Sequence, residues 1–353
     1  MKSRFSAKTP LVENKSAENN SVKTAVLLTN LGSPEKPTTS ALRRYLREFL
    51  SDPRVVEVPR FIWMIILYCI ILPMRPKKSA KLYQSVWTKE GAPLLVISQA
   101  QKEKIAAKLA LQYGDDVIVD VAMRYGEPSI SSVLQKFQQQ GVDKLVILPL
   151  YPQYAGPTTA STFDAVTGEL QKWRYVPSLH FINSYHSNSH YVNALANTIS
   201  EHINKHGKPD KFVLSYHGMP ELFHQWGDPY YDFCQITTNL LKAELLTRPL
   251  NLSDDDFTMA FQSRFGNAKW LQPYTDETLE SLAKNGNKHL VIMSPAFSAD
   301  CLETLEELEH ENRDTFMQAG GEKYHYIAAL NDRDDHIDAL VNIIAPTLNS
   351  LID

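Results

Sequence analysis

Short apolar runs alternate with longer amphipathic stretches along most of the chain. Thr24–Gly32 (TAVLLTNLG), Val117–Gly126, Lys144–Tyr154, Lys211–Gly218, Thr258–Gly266 and Lys288–Phe297 read as strands. They are apolar on both sides, as strands covered on two faces must be. Between them, Ser40–Leu50 places Leu42, Tyr45, Leu46 and Phe49 on one side of a helix. Helices are also predicted over Gln99–Gln112, Ile130–Gln139, Tyr191–Lys205, Tyr230–Leu246, Asp276–Lys284 and Glu303–Ala319. A last helix, Asp335–Ile352, carries Ile337, Leu340, Ile343 and Ile344 and is expected to pack back on the body. Buried strands linked by helices form right-handed crossover units, so the pattern predicts an α/β fold with parallel sheets.

The order of elements repeats. Asn30-Leu31-Gly32 corresponds to Tyr216-His217-Gly218, and Arg124-Tyr125-Gly126 to Arg264-Phe265-Gly266. Leu145–Tyr151 corresponds to Leu290–Phe297. Two similar doubly wound, Rossmann-like α/β domains are therefore expected, 22–172 and 173–328, with 329–353 as the terminal helix and a disordered tail at 1–21. Ligands of such sheets bind beyond the carboxyl ends of the strands, which places a site in the cleft between the domains.

Composition changes this picture little. The 353 residues are 43% hydrophobic and 22% charged, which excludes a mostly disordered, collagen-like or polytopic membrane chain. The net charge of −4 offers no basic field for nucleic acid. Three cysteines, Cys69, Cys234 and Cys301, are too few for a disulfide framework and too scattered for a zinc site, so a reduced, cytoplasmic setting is expected. Glu13 and Glu18 in the tail are wrong for a transit peptide. One stretch is anomalous: Phe61–Met74 reads FIWMIILYCIILPM. It is shorter than the ~20 residues that cross a bilayer.

Candidate chemistry follows the strand ends. His217 stands before Gly218 and Pro220, where a turn projects it into the cleft, as a general base or as a histidine satisfied within its loop. Asp300 and Glu303 fit either a helix cap, with Asp300 at N-cap and Glu303 at N3, or a binding site. Glu303, Glu307 and Glu311 recur every four residues and share a helix face. That row is either a solvated face or a relay for protons and divalent cations. Arg124 and Arg264 follow corresponding strands; each can hold a ligand carboxylate or a structural salt bridge. Tyr151 and Tyr154 offer flat aromatic faces, and the sequence around them lacks the glycine spacing of a phosphate loop.

The segments SYHGMP (215–220), LYPQYAGPTTAS (150–161), FQSRFGNAKWLQPYTDE (261–277) and PAFSADCLETLEE (295–307), with TNLGSP and LNDRDDHIDAL near the ends, resemble the ferrochelatases in order and content. The resemblance spans roughly Thr24 to Ile344. It implies the chelatase fold and insertion of Fe²⁺ into protoporphyrin IX to give protoheme, the terminal step of heme synthesis. It implies that His217 and Glu303 form the metal and catalytic site and that Glu307 and Glu311 lead into it. Leu31, Tyr83, Arg124, Tyr151, Ser263, Arg264, Trp270 and Phe297 are implied as porphyrin contacts, with Arg75, Lys77 and Lys78 near the propionates. Fe²⁺ is then a substrate; no tightly bound cofactor or iron–sulfur cluster is expected. Other enzymes of heme synthesis are candidate partners.

Departures from the family pattern carry information. Cys301 stands where animal enzymes have a second histidine. Leu31 replaces a tyrosine of some coproporphyrin-using relatives, which favours protoporphyrin. Ala92 replaces a common serine. A coproporphyrin ferrochelatase, a cobalt or nickel chelatase and a non-catalytic tetrapyrrole carrier are the alternatives, and the His217/Glu303 pair argues against a carrier. The resemblance makes residues 61–78 a lip of the pocket. With Arg60 before it and Arg75, Lys77, Lys78 and Lys81 after it, the segment 61–81 suits peripheral contact with an anionic bilayer on the inner membrane face.

Overall fold

The computed structural model describes Phe5 and residues 23–266 and 268–352, apart from the Asp115 side chain. Except for Phe5, the expected disordered tail lies outside the described residues. Two four-stranded sheets organise the chain. The first contains β1 (Thr24–Asn30), β2 (Val117–Met123), β3 (Lys144–Pro149) and β4 (Ser178–Phe181), in the order β2-β1-β3-β4. The second contains β5 (Lys211–His217), β6 (Phe257–Gln262), β7 (His289–Met293) and β8 (Lys323–Tyr326), in the order β6-β5-β7-β8. Every pairing is parallel. The two orders are the same order, and the sequence repeat is thereby structural.

The strands carry the alternation that double burial demands. Val26 and Leu28 of β1 face one core and Ala25 and Leu27 the opposite one. In the second sheet Phe212, Leu214 and Tyr216 face the first core, whereas Val213 faces a separate one. Full burial of one such leucine stabilises by roughly 2 kcal/mol. The first core is shared: Val26 and Leu148 from one sheet lie in the same cluster as Leu214 and Met293 from the other.

Helices cover these faces. They are α1 (Thr39–Leu50), α2 (Arg60–Ile66), α3 (Leu72–Val86), α4 (Pro93–Tyr113), α5 (Ile130–Gln139), α6 (Ser161–Leu170), α7 (Ser189–His206), α8 (Glu221–Gln225), α9 (Tyr230–Leu246), α10 (Thr275–Lys284), α11 (Asn312–Gln318) and α12 (Asp334–Ile352). Side-chain oxygens of Thr38, Ser129 and Asn188 cap α1, α5 and α7. Helix α4 starts six residues before the expected Gln99, at Pro93, because proline suits the first helical turn. Helix α12 returns to the first half: Lys108 pairs with Asp338, and the Lys144 ammonium donates to the Leu351 carbonyl.

Three differences from the sequence reading have physical causes. The predicted strands overrun their ends because the apolar runs continue into loops that line a cavity. The edge strands β4 and β8 were not predicted: SLHF and KYHY are short and polar, as strands with one neighbour often are. Because β4 pairs with β3, the first sheet reaches Phe181, past the expected boundary at 172. Finally, three stretches open into wider i→i+5 turns, Leu67–Ile71, Gly156–Ala160 and Glu303–Glu311. Such turns are rare and concentrate at functional sites.

The segment Phe61–Met74 lies in α2, the first wide turn and the start of α3. Trp63, Leu67 and Leu72 are buried, and the Trp63 indole N–H donates to the Leu50 carbonyl at 2.6 Å. Phe61, Ile62, Ile65, Tyr68, Ile70 and Met74 are exposed. No helix among the described residues is long and apolar enough to cross a membrane.

The repeated glycines have a steric reason. A Cβ on Gly32 would lie 1.8 Å from the Tyr125 carbonyl oxygen, and one on Gly218 would lie 2.5 Å from that of Gln262. In each half the chain leaving the first strand crosses the backbone beyond its neighbour with no room for a side chain. Gly32 also has φ of +104°. Gly32→Ala is therefore expected to cost at least about 2 kcal/mol, read as a lower urea midpoint with unchanged m-value.

Candidate active site

The carboxyl ends of both sheets open on one cavity of about 1350 Å³. That exceeds the ~300–1,000 Å³ of ordinary small-molecule sites. Residues just past the strands line it: Leu31 after β1, Tyr151 after β3, Ser263 after β6, Phe297 after β7, and His217 at the end of β5. All three wide turns contribute, through Ile71, through Pro157 and Thr158, and through Glu303, Glu306, Glu307 and Glu311.

His217 is half-buried, and its Nδ1 lies 2.7 Å from the Gly218 carbonyl oxygen. A carbonyl only accepts, so Nδ1 is the donor in this bond and Nε2 takes no part in it. The loop therefore satisfies one ring nitrogen of this histidine, and the residue lines the cavity. The Phe297 ring centre is 6.3 Å from that of His217. Gly218 admits the Trp270 ring as well, since a Cβ there would stand 3.2 Å from Trp270 Cε3. Trp270 is further fixed by its indole N–H donating to Phe265 O at 2.9 Å.

Part of the lining is acidic. The Gln262 amide of β6 donates to the Glu303 carbonyl at 3.0 Å and anchors the start of the Glu303–Glu311 turn. Glu307 accepts from the Ser263 backbone N–H at 2.7 Å and from the Ser263 hydroxyl. Ser263 has φ of +64°, a left-handed conformation that aims both donors at one carboxylate. Burial raises the Glu307 pKa, opposed by the Ser263 hydrogen bond and by His217. Burial, reinforced by Glu311, also raises that of Glu306. The row runs from half-buried Glu303 and Glu307 to exposed Glu311. Behind it, burial first and then Glu303 push up the Cys301 thiol and the Tyr83 phenol. Cys301 is consequently a buried thiol held toward its neutral form.

Leu31, Tyr83, Tyr151, Ser263, Arg264, Trp270 and Phe297 all line the cavity, whereas Arg124 does not. Its guanidinium donates through Nη2 to Asp52 at 2.5 Å and through Nε to the Ser161 hydroxyl at 2.7 Å, behind the wall. Ser263 is likewise committed to Glu307. Arg264 sits at the rim, paired with Asp276 and Glu277 and stacked 4.3 Å over the Tyr274 ring. Arg75 and Lys78 line the cavity, and the Arg75 guanidinium lies 4.5 Å over Phe265, a contact from the lip to the other half. Lys77 is not in the lining. Tyr151 presents a hydroxyl with no hydrogen-bond partner.

Asp300 does not form the capping box. Its carboxylate accepts from Thr304 at 2.9 Å, Tyr326 at 2.6 Å and Asn331 at 2.7 Å, and from the Ala329 backbone. It ties the loops after β7 and β8 together. Sequence reasoning missed Trp63 and Trp226, both in the lining. Trp63 was hidden in an undifferentiated apolar run. Trp226 follows α8, a helix too short to show periodicity.

Comparison with known proteins agrees in extent with this architecture. The ferrochelatase family model matches residues 23–348. Ferrochelatase 2 of Shewanella oneidensis is 58% identical over 326 residues, covering 92% of this chain and 98% of that protein. The ferrochelatase of Shewanella denitrificans is 55% identical over 331 residues, covering 92% and 98%, and that of Alcanivorax borkumensis is 53% identical over 330, covering 94% and 95%. Among solved structures, SirB from Bacillus subtilis with Fe³⁺ superposes with a TM-score of 0.54 at 15% identity, covering 93% of this chain and 97% of that one. CbiX, the terminal enzyme of siroheme biosynthesis in denitrifying bacteria, gives 0.50 at 10% identity, covering 92% and 98%. At those identities the likeness is one of fold.

The Asp52 cluster behind the site yields a pH-dependent expectation. Burial alone would raise the Asp52 pKa; hydrogen bonds from Ser161, the Arg54 amide and Tyr125, with the Arg124 charge, outweigh it and hold the carboxyl below its usual range. A depressed folded pKa contributes stability above the unfolded value of about 3.9 and loses it as pH falls through the folded one. Asp52→Ala, which leaves the part-buried Arg124 unpaired, should cost about 3 kcal/mol at pH 7 in urea unfolding. That deficit should shrink below about pH 4.

Proposed function

The chain belongs to the ferrochelatase family, and from that premise we propose how its cleft carries out the insertion of Fe²⁺ into protoporphyrin IX. Two pyrrole protons must leave the ring as the metal enters the same four-nitrogen plane. The observation that carries the reading is that His217, held through Nδ1 by its own loop, shares one cavity with Glu303 and Glu307. His217 accepts the pyrrole protons, and Glu303 meets the iron. Glu307, whose proton affinity burial raises, and exposed Glu311 pass charge between the interior and solvent. Leu31, Tyr151, Trp270 and Phe297 form the flat apolar walls that grip the macrocycle. Distorting the ring to expose its nitrogen lone pairs costs a few kcal/mol, supplied by these remote contacts.

Arg75 and Lys78, at the lip edge of the cavity, suit the propionates; Arg124, engaged with Asp52, is assigned to the scaffold. Leu31 offers no axial oxygen to product iron, which supports protoporphyrin over coproporphyrin. Iron enters as substrate, and no resident cluster is assigned to the three separated cysteines. In the lip, the exposed Phe61, Ile62, Ile65, Ile70 and Met74 lie beside exposed Lys77 and Lys81. An apolar face with a basic fringe matches the surface of an anionic bilayer, from which an apolar porphyrin can enter the pocket directly. Such peripheral contact fits a cytoplasmic protein at the inner membrane face.

Anaerobic mixing with Fe²⁺ and protoporphyrin IX, followed by absorbance, tests the first part. His217→Ala is expected to lower metallation at least 100-fold. Porphyrin affinity, read by fluorescence quenching, should be kept; near-normal turnover in that variant would refute the assignment. For the lip, an Ile62→Ser/Ile65→Ser double variant should lose flotation with vesicles containing phosphatidylglycerol and keep metallation of detergent-dispersed porphyrin. Equal flotation of variant and wild type would reduce the segment to a pocket wall.

A further inference from the structure

On the face of the second sheet covered by α7, four histidines converge. His202 and His206 stand one turn apart near the end of α7, His289 opens β7, and His325 lies in β8. The sheet register pairs His325 with Val291, so His289 and His325 point to the same face on neighbouring strands. Ring centres are 4.8 Å apart for His202–His206 and His206–His325, 4.9 Å for His202–His325 and 5.4 Å for His289–His325. One ligand nitrogen each of His202, His289 and His325 falls within 4.8 Å of the others. His325 Nδ1 and His202 Nε2 are 3.1 Å apart, and His289 Nε2 is buried with no partner. None of the four lines the large cavity.

Burial, then the mutual proximity of the rings, lowers the pKa of His202 to about 4; burial likewise lowers those of His289 and His325. His202, His289 and His325 are therefore neutral near pH 7, with lone pairs available. The surrounding charges are mixed. Lys323 lies close enough to oppose a cation, while Asp210 acts on His289 in the opposite sense. Glu309, His310 and Arg313 line the adjoining small cavity of about 290 Å³ with His202, His206 and His325.

We propose that His202, His289 and His325, with His206 as the fourth donor, form a binding site for a borderline divalent transition ion such as Zn²⁺ or Co²⁺, separate from the porphyrin cleft. A donor set of neutral imidazoles selects these ions over Mg²⁺ and Ca²⁺, which prefer oxygen. The i, i+4 pair on α7 and the adjacent strands supply ligands from rigid elements. Nitrogen atoms must close from 4.8 Å to the spacing of a tetrahedral shell with Zn–N near 2.0–2.1 Å. His202, His289 and His325 are half-buried and His206 is exposed, so the closure calls on side-chain rotation.

Titration of the full chain with Co²⁺, followed by its visible absorption at pH 7.5, tests the site. The His202→Gln/His325→Gln double variant is expected to lose one molar equivalent relative to wild type, and Mg²⁺ in excess should not compete. A folded double variant, with the circular dichroism and thermal midpoint of wild type, that binds as many equivalents overturns the proposal. Long-range ¹H–¹⁵N spectra of the wild-type imidazoles need no variant. Addition of Zn²⁺ should shift His202, His289 and His325 together, and a response confined to His217 overturns the proposal as well.

Discussion

Parallel strand pairing is the constraint on which the rest depends. A parallel strand cannot turn back on its neighbour, so each must be followed by a crossover before the next begins. All carboxyl ends then lie on one edge of the sheet, and every loop that leaves that edge is free of the ladder. Here two sheets of the same order meet with those edges on one cavity. The residues after β1, β3, β5, β6 and β7 become a wall because they are the first that hydrogen bonding no longer holds in a strand.

Loops released in this way must be fixed by other means, and each half uses a buried carboxylate. Asp52 gathers Arg124 and Tyr125 from the connection after β2 and Ser161 from the connection after β3. Asp300 gathers Thr304, Tyr326 and Asn331 in the second. A buried carboxylate left unpaired is costly, so such a node positions loops precisely and tolerates little rearrangement. The two nodes are not equivalent in the sequence repeat. They are separate solutions to the same problem in two copies of one architecture.

The same economy explains why charged and aromatic residues with similar neighbours in sequence end in different roles. Arg124 and Arg264 hold corresponding places after β2 and β6, yet Arg124 is engaged behind the wall and Arg264 stands at the rim. What separates them is Asp52, supplied by the turn after α1, for which the second half has no counterpart at that place. Likewise Ser263 was legible as a polar residue near the site. Its bond to Glu307 depends on a left-handed backbone that a sequence does not display.

The sequence by itself marked six of the strands, the repeat and the fold class, and its likeness to a family offered His217, Glu303 and the acidic row as site residues. All of these follow from local periodicity and from motifs read in order. It also marked Phe61–Met74 as unusual. Only the tertiary structure decided which of those apolar residues are buried, that Arg124 serves the scaffold, and that Asp300 ties loops instead of capping a helix. It alone placed β4 and β8, whose short polar sequences are held in the sheets by their single neighbours. It alone brought the His202/His206 pair of one helix together with His289 and His325, because that proximity comes from packing the helix on two strands. Pairing partners, side-chain exposure and long-range ion pairs are set by the whole fold, and no local window of sequence contains them.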